Sequence, residues 1–188
     1  LSLDTLAVLQ PYFYTYDLVC FSYYKEFASI QTVRTFALPS DCTPAFFQRR
    51  LTGLIGSELS DPGQLDSLST VWGKLYLRSI LTSYPLSFVG LDAIGTWEDG
   101  LFNWDYLQYV TRIKIIDAPY YHYRKDNVHS ITSKPIADFY SKRLHLFTLL
   151  EERLQLHSKD SHYFEALHNR ISLSIIGVGL VVLNQKQL

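Results

Sequence analysis

The chain has 188 residues, and its 17 basic and 18 acidic residues leave a net charge of −1. This balance argues against a strongly cationic nucleic-acid-binding protein, so we expect no nucleic-acid partner. Apolar residues make up 47% and charged residues 19% of the chain, which excludes a disordered protein and indicates a globular domain with a hydrophobic core.

The first 55 residues alternate between predicted helices and predicted strands. The spacing of apolar residues indicates the helices, and runs of aromatic and branched residues indicate the strands. The predicted elements are a helix over residues 3–13, strands over residues 17–24 and 31–38, and a helix from 43 to about 55. Thr43 as the N-cap and Pro44 in the first helical position mark the start of that second helix.

The rest of the chain begins with a long polar loop and ends in helices. The predicted elements begin with a loop over residues 56–69, an apolar segment over 70–76 that leads into a helix to about 83, and a helix over 96–110. Residues 112–123 are predicted to form either one bent strand or two short strands. Helices are predicted from 136 onward and over 163–183. Helices and strands do not repeat as βαβ units. We therefore expect an α/β fold with a helical C-terminal end.

The most apolar segment covers residues 171–183. It is shorter than the roughly 20 residues that span a bilayer. A buried core helix is one interpretation of this segment. Contact with a membrane surface or with another chain is the other, and the sequence leaves the oligomeric state open.

Several other features indicate structural roles. Two cysteines are too few for a disulfide framework, and with no signal-peptide pattern at the start they favour a reducing, cytoplasmic compartment. Cys20 is expected to be a small buried residue, and Arg49 and Arg50 are expected to be solvated at the surface. The histidines of the C-terminal helices have no carboxylate or cysteine at metal-ligand spacing, so we expect surface or core roles for them. They are His145, His157, His162 and His168.

The first segment that could carry chemistry covers residues 71–76, with the sequence VWGKLY. Gly73 lets the backbone pass closely beside the large ring of Trp72, and Lys74 adds a cation. This combination fits a ligand pocket. It also fits a tryptophan that simply packs on a turn.

The second segment is Trp97-Glu98-Asp99-Gly100, at the start of a predicted helix. Acidic residues in this position are stabilised by the helix dipole and by free N–H groups, so helix capping explains the pair. The functional interpretation is a general base that takes a proton from an attacking hydroxyl, in a pocket shaped by Trp97 and Gly100.

The third segment covers residues 118–132. It combines Arg124, Lys125 and His129 with hydroxyl groups such as that of Ser130, on a loop that follows the predicted strands. Arginine and lysine make charge-assisted hydrogen bonds to phosphate oxygens, so this segment fits a diphosphate. A solvated basic loop is the other interpretation.

Taken in this order, the three segments resemble family 2 glycosyltransferases of the GT-A fold, in particular the bacterial enzymes that build capsular polysaccharides, exopolysaccharides and lipopolysaccharides. The likeness covers residues 3–132. It implies a partial GT-A fold, of the nucleotide-diphospho-sugar transferase type, over residues 1–132. A helical extension packed on that fold would then cover residues 133–188.

The resemblance also implies roles for individual residues. Asp99 would be the catalytic base, and Glu98 would flank it and orient the acceptor. The substrate-binding residues would be Trp72, Gly73 and Lys74 in the donor-sugar and acceptor pocket, Arg124 and Lys125 beside the diphosphate, and His129 and Ser130 on the loop that closes over the nucleotide.

The implied activity is that of an inverting glycosyltransferase of the hexosyltransferase type. It would move a sugar from a nucleotide-sugar donor to a hydroxyl of a glycan or lipid-linked acceptor, in cell-surface polysaccharide synthesis. The implied location is the cytoplasm, or the inner face of the membrane if the protein makes a peripheral membrane contact. The alternative is a non-catalytic carbohydrate- or protein-binding module derived from such a fold.

One departure from the family concerns the metal site. The Asp-x-Asp motif that holds a divalent metal in these enzymes is absent from the chain. The resemblance therefore implies the acceptor-side, C-terminal portion of such an enzyme, which is expected to be inactive alone. Mn²⁺ or Mg²⁺ would be held mostly by residues outside this chain, and no residue here is assigned as a metal ligand.

Overall fold

The computed structural model describes residues 4–28, 30–36, 38–39, 42–124 and 138–185, with side chains as far as residue 175. Over these residues the protein is mixed α/β, as expected. The strands are β1 (Leu18–Phe27), β2 (Ile30–Arg34), β3 (Lys74–Tyr76) and β4 (Ile113–Arg124). The helices are α1 (Thr5–Leu9), α2 (Pro44–Thr52), α3 (Arg78–Ser83), α4 (Leu91–Ile94), α5 (Glu98–Tyr106), α6 (Phe139–Leu156) and α7 (Ser161–Gln185).

The chain forms two compact units, each assembled from three segments. The sheet unit comprises Leu1–Phe47, Thr70–Ser87 and Asp105–Pro135. The helical unit comprises Gln48–Ser69, Phe88–Trp104 and Ile136–Leu188. The predicted boundary at residue 132 lies outside the described residues, so the division into a 1–132 domain and a 133–188 extension stays a prediction.

β1 is the central strand of the sheet. β3 pairs with its first half and β2 with its second half, both antiparallel, while β4 pairs with it in parallel over most of its length. Because a strand has only two edges, β2 and β3 share one edge of β1 and β4 occupies the other. The first five residues of β1 are buried, as expected for a strand that is covered and paired on both sides.

β4 is one long irregular strand, and its irregularity lies around Pro119. Phe21 of β1 faces Ile116, but the next residue, Ser22, already faces Pro119. A proline has no N–H to donate to the ladder and is found in sheets mainly at edges and bulges. Of the two structures that the sequence allowed for this segment, the chain therefore forms the single bent strand and not two short strands.

The side chain of Asp17 ties the start of β1 to the start of β4. One carboxylate oxygen accepts hydrogen bonds from the backbone N–H and the hydroxyl of Thr111, both at 2.7 Å, and from the N–H of Arg112 at 3.0 Å. Burial opposes ionisation of this carboxyl, but the Thr111 and Arg112 bonds outweigh it and hold the pKa of Asp17 below its usual value. Two strand starts that are far apart in sequence are thereby fixed side by side.

In the helical unit, α6 and α7 form a helical pair with a conventional core. Leu146, Leu150 and Leu154 recur every four residues on α6 and are fully buried, which is the spacing that places side chains on one helix face. Gly53 allows the backbone of α7 to approach closely, because a Cβ added at Gly53 would overlap the backbone oxygen of Ala166. The expectation of a helical C-terminal end is confirmed. None of the described helices is both long and apolar enough to cross a membrane.

Most predicted elements are confirmed, but their bounds differ: α1, α2 and α5 are shorter than predicted, and β1 and α7 are longer. Thr43 caps α2 as expected, because its hydroxyl accepts a hydrogen bond from the N–H of Phe46 at 3.1 Å. Cys20 is buried as expected, and burial raises the pKa of its thiol to about 12. The predicted loop over 56–69 contains two short 3-10 helices, Gly56–Ser60 and Pro62–Gln64, and α4 was not predicted.

The expectation that Arg49 and Arg50 are solvated is wrong, because both are buried. The guanidinium of Arg49 makes a two-pronged contact with the carboxylate of Glu58, at 2.5 and 2.6 Å. Arg50 donates to the backbone oxygen of Gln64 at 3.0 Å. Because it is paired with a carboxylate in this way, Arg49 can be buried without leaving its charge uncompensated.

Candidate functional site

The parallel pairing of β1 and β4 brings their carboxyl ends to the same edge of the sheet. In α/β sheets ligands bind outside the carboxyl ends of parallel strands. Here that edge carries aromatic and charged side chains instead of the aliphatic residues of the buried half. It is therefore the part of the sheet unit where a ligand site is expected.

Four aromatic rings gather towards this edge, and we call them the aromatic cluster: Tyr23, Trp72, Tyr121 and Tyr123. The indole of Trp72 stacks on Tyr121, with ring centroids 4.8 Å apart, and on Tyr123, at 5.0 Å. Tyr23 meets Trp72 edge-on at 4.7 Å. All four side chains are only half-buried, so each keeps accessible surface. Rings with an apolar face and a polar rim suit the stacking of a sugar.

Gly73 explains how Trp72 is held against the sheet. Its φ is +73°, a backbone conformation that favours glycine, and its oxygen accepts a hydrogen bond from the N–H of Phe21 at 2.9 Å. A Cβ at this position would lie 3.2 Å from the oxygen of Phe21. The prediction that Gly73 allows close passage of the backbone is confirmed.

Lys74 is 6% exposed, and its ammonium points into the sheet unit. It donates a hydrogen bond to the backbone oxygen of Thr70 and lies 5.4 Å from the ring centre of Phe36. These contacts hold the turn that carries Trp72. Direct contact of Lys74 with a substrate stays a prediction.

A second group of polar side chains lies on β1 and β4 near the same ends. Nδ1 of His122 lies 2.7 Å from Oε1 of Glu26, and the amide of Gln31 donates to the same oxygen at 2.8 Å. The His122 and Gln31 bonds lower the pKa of Glu26, and the charge of Arg124 acts in the same direction. Arg124 is the last residue of β4, opposite Glu26, and is exposed. No local sequence pattern predicts the Glu26–His122 pair, because its members are 96 residues apart.

In the helical unit, Glu98 and Asp99 form the first turn of α5, as predicted, and both are half-exposed. The residue before them, Trp97, has a φ of +75°, which is a strained conformation for a bulky residue. Such strain persists only where the surroundings hold the backbone in place, and it is concentrated at functional sites. The contacts that hold Trp97 in this conformation therefore also fix the position of the first turn of α5, which carries Glu98 and Asp99.

Three contacts hold the indole of Trp97, which is buried within the helical unit. Its Nε1–H donates to Oδ1 of Asp66 at 2.9 Å, and the guanidinium of Arg170 lies 4.3 Å from its ring centre. The ring also covers Gly100, where an added Cβ would lie 2.3 Å from the indole. The absence of a side chain at Gly100 is thus required for the Trp97 indole to pack against the first turn of α5. The ring supports that start and is too buried to form the wall of an open pocket.

Arg170 holds Trp97 and Asp66 in place. Its side chain is fully buried and donates to the backbone oxygens of Thr52 (2.6 Å), Leu51 (3.0 Å) and Leu65 (3.1 Å) and to Oδ1 of Asp66 (2.7 Å). Burial opposes ionisation of Asp66, but the charge and hydrogen bond of Arg170 hold its pKa below the usual value. Asn103 adds a further tie, since its amide donates to the backbone oxygens of Asp99 and Ser69.

We expect Gly100→Ala to destabilise the protein, although alanine is favoured over glycine in a helix by about 1 kcal/mol. The new methyl group would overlap the Trp97 ring, and overpacking of this kind costs about 1–3 kcal/mol. Urea unfolding would measure the change. Ser172→Ala, at an exposed position of α7, is the control for helix propensity and should change stability little. A stabilised Gly100→Ala variant would contradict the packing described.

The predicted site residues fall in both units. Trp72, Gly73, Lys74 and Arg124 lie in the sheet unit, and Glu98 and Asp99 lie in the helical unit. Lys125, His129 and Ser130 lie outside the described residues, so the predicted diphosphate loop stays a prediction.

The structure also bears on metal binding. The histidines of α6, α7 and the turn between them are exposed, consistent with a surface role; they are His145, His157, His162 and His168. Among the residues whose positions are described, no three His, Cys, Asp or Glu side chains are grouped so as to hold a metal ion. These residues therefore do not fit a metal site, and we assign no chemical step to one.

Comparisons with family models, with curated proteins and with solved structures return no match to this chain.

Proposed function

We propose that this protein is an inverting glycosyltransferase with a partial GT-A fold. It would transfer a sugar from a nucleotide-sugar donor to a hydroxyl of a glycan or lipid-linked acceptor. The support comes from the three segments that resemble family 2 enzymes, from the mixed four-stranded sheet, and from the placement of aromatic and charged residues at the carboxyl ends of β1 and β4.

The observation that carries the proposal is the set of buried contacts that supports the first turn of α5. A helix cap needs no strained tryptophan, no buried arginine beneath it and no glycine packed against an indole. A catalytic carboxylate does need a rigid support, because a small displacement of a base from its productive position slows the reaction strongly. The support given to Glu98 and Asp99 therefore favours catalysis over simple capping.

In the proposed step the acceptor oxygen forms a bond to the anomeric carbon of the donor. The bond from that carbon to the diphosphate breaks in line, and the nucleoside diphosphate leaves with the electron pair. The carboxylate of Asp99 takes the proton of the acceptor hydroxyl as the bond forms. Glu98 orients the acceptor, the aromatic cluster stacks on a sugar ring, and Arg124 makes a charge-assisted bond to the diphosphate.

The alternative is a carbohydrate-binding module without catalysis. The aromatic cluster favours it as much as it favours an enzyme, because half-buried stacked rings are sufficient to bind a sugar. The two functions differ in what the acidic pair does. Only the transferase needs a carboxylate that accepts a proton.

We expect Trp72→Ala to weaken sugar binding about tenfold, because it removes the ring on which Tyr121 and Tyr123 stack. Calorimetry on the full product of the gene, with a panel of uridine and guanosine diphosphate sugars and of oligosaccharides, would measure the change. Tyr14→Ala is the matched control, because Tyr14 is 92% exposed and lies outside the cluster. Equal affinities for the wild type and both variants would remove the aromatic cluster from the proposal.

A further inference from the structure

The helical unit contains an open apolar groove along α6 and α7, with a volume of about 300 Å³. This size is at the lower end of the range for small-molecule clefts. The described residues that line it are Tyr140, Arg143, Leu144, Phe147, Ile171, Ser174 and Ile175. All but two are apolar or aromatic, so the walls suit a hydrocarbon chain.

Arg143 is the charged residue of this lining. Its guanidinium lies 5.7 Å from the ring centre of Phe139 and 5.8 Å from that of Phe147. Its Nε and Nη1 are buried and have no hydrogen-bond partner among the residues that the structure describes. Leaving charged donors buried and unpaired is costly, so these two atoms are placed to receive an anionic group.

The charges around Arg143 favour an anion as well. Two groups act on it electrostatically, Asp66 and Arg170. Oδ1 of Asp66 already accepts bonds from Arg170 and from Trp97. Within the described part of the helical unit, two guanidinium groups therefore act on one carboxylate, which leaves a net positive charge beside the apolar groove. Burial lowers the pKa of Arg143, as expected for a cation that lacks full compensation.

We propose that this groove binds one molecule of an alkyl phosphate lipid, with the chain along α6 and α7 and the phosphate on Arg143. The planar guanidinium can donate Nε–H and Nη1–H to a phosphate together. The alkyl chain would cover side chains such as Ile175, which is 65% exposed. This inference does not depend on transferase activity, because binding can be measured without any sugar donor.

The test is calorimetric titration of the full chain with decyl phosphate below its critical micelle concentration. Decanol supplies the same chain without the charge, and inorganic phosphate supplies the charge without the chain. We expect decyl phosphate to bind at least about tenfold more tightly than either, because a charge-assisted bond is added to apolar burial. Equal affinities for decyl phosphate and decanol, or no binding of decyl phosphate, would overturn the proposal.

Three variants locate the site. Arg143→Met keeps length and packing over the phenylalanine rings but should lose the preference for decyl phosphate over decanol. Ile175→Glu should weaken both ligands about tenfold, because it places a carboxylate in the groove. Leu156→Glu is the matched control, since Leu156 is a 78% exposed residue of α6 outside the groove, and it should bind as the wild type does.

Two other occupants of the groove are distinguishable. Binding to vesicles of an anionic phospholipid without binding of decyl phosphate would assign this face to a membrane surface, and would overturn the proposal. A wild-type dimer in sedimentation experiments that becomes monomeric in Ile175→Glu would assign the groove to a second copy of the chain. That result would overturn the proposal too.

Discussion

Asp99→Asn is expected to lower turnover by a factor of about 10² to 10⁴, the usual contribution of general-base catalysis. Asparagine keeps the shape of the side chain and the helix start but cannot accept the acceptor's proton. Donor affinity should change little, because the base acts on the acceptor and not on the diphosphate. The measurement is turnover and donor affinity of the full gene product, for the wild type and the variant side by side.

Three further variants make this prediction specific. Arg124→Ala should instead weaken donor binding, because it removes a charge-assisted phosphate contact. Asp92→Asn, which changes an exposed acidic residue in the first turn of α4, should leave both quantities unchanged. If Glu98→Gln abolishes turnover while Asp99→Asn is nearly normal, the base is Glu98. If neither change matters, the acidic pair is a helix cap.

Arg170→Met is expected to lower the free energy of unfolding by about 3–5 kcal/mol, because each buried acceptor that loses its donor costs about 1–3 kcal/mol. The substitution removes the donor from three backbone oxygens and leaves Asp66 without its buried partner. Urea unfolding would measure the loss. Arg78→Met, at an exposed position of α3, should change stability by no more than about 0.5 kcal/mol. A loss below about 1 kcal/mol in Arg170→Met would contradict the role given to this arginine.

The ion pair of Asp66 and Arg170 also makes the free energy of unfolding depend on pH in a defined direction. Burial opposes the ionisation of Asp66, but Arg170 lowers its pKa from the usual value of 3.8 in the folded protein. The stability from this pair is therefore present above pH 3.8 and is lost as the pH falls through the folded-state pKa. This part of the acid sensitivity should be absent from Arg170→Met.

Elements with local signals could be predicted from the sequence. The Thr43–Pro44 start of α2 depends on one hydroxyl and the N–H of Phe46 three residues later, so it is visible in the sequence. The position of Glu98 and Asp99 in the first turn of α5 was also predicted, although the predicted helix began two residues earlier, at residue 96. The irregularity of β4 was expected from Pro119, because a proline in a strand always removes one ladder bond.

Features that depend on distant residues could not be predicted in this way. The parallel pairing of β1 with β4 joins segments separated by more than half the chain, and no periodicity reports it. Arg49 was expected at the surface because arginine usually is. Its burial depends on Glu58, only nine residues away, and on the backbone oxygen of Gly53, but no helix or strand periodicity indicates these contacts. Arg170 looks in the sequence like a charge before an apolar run, yet it supports the start of α5, at Glu98, from 72 residues away.

The most direct test of the transferase proposal is a sugar-transfer assay on the full product of the gene. A panel of nucleotide sugars with Mn²⁺ and candidate glycan acceptors would be incubated with wild type and Asp99→Asn, and released nucleoside diphosphate and glycosylated acceptor would be quantified together. We predict that the wild type turns over one donor, with equal amounts of both products, and that Asp99→Asn reduces both by about 100-fold or more. Sugar binding by the wild type with no release above that of Asp99→Asn would contradict the proposal and identify a binding module.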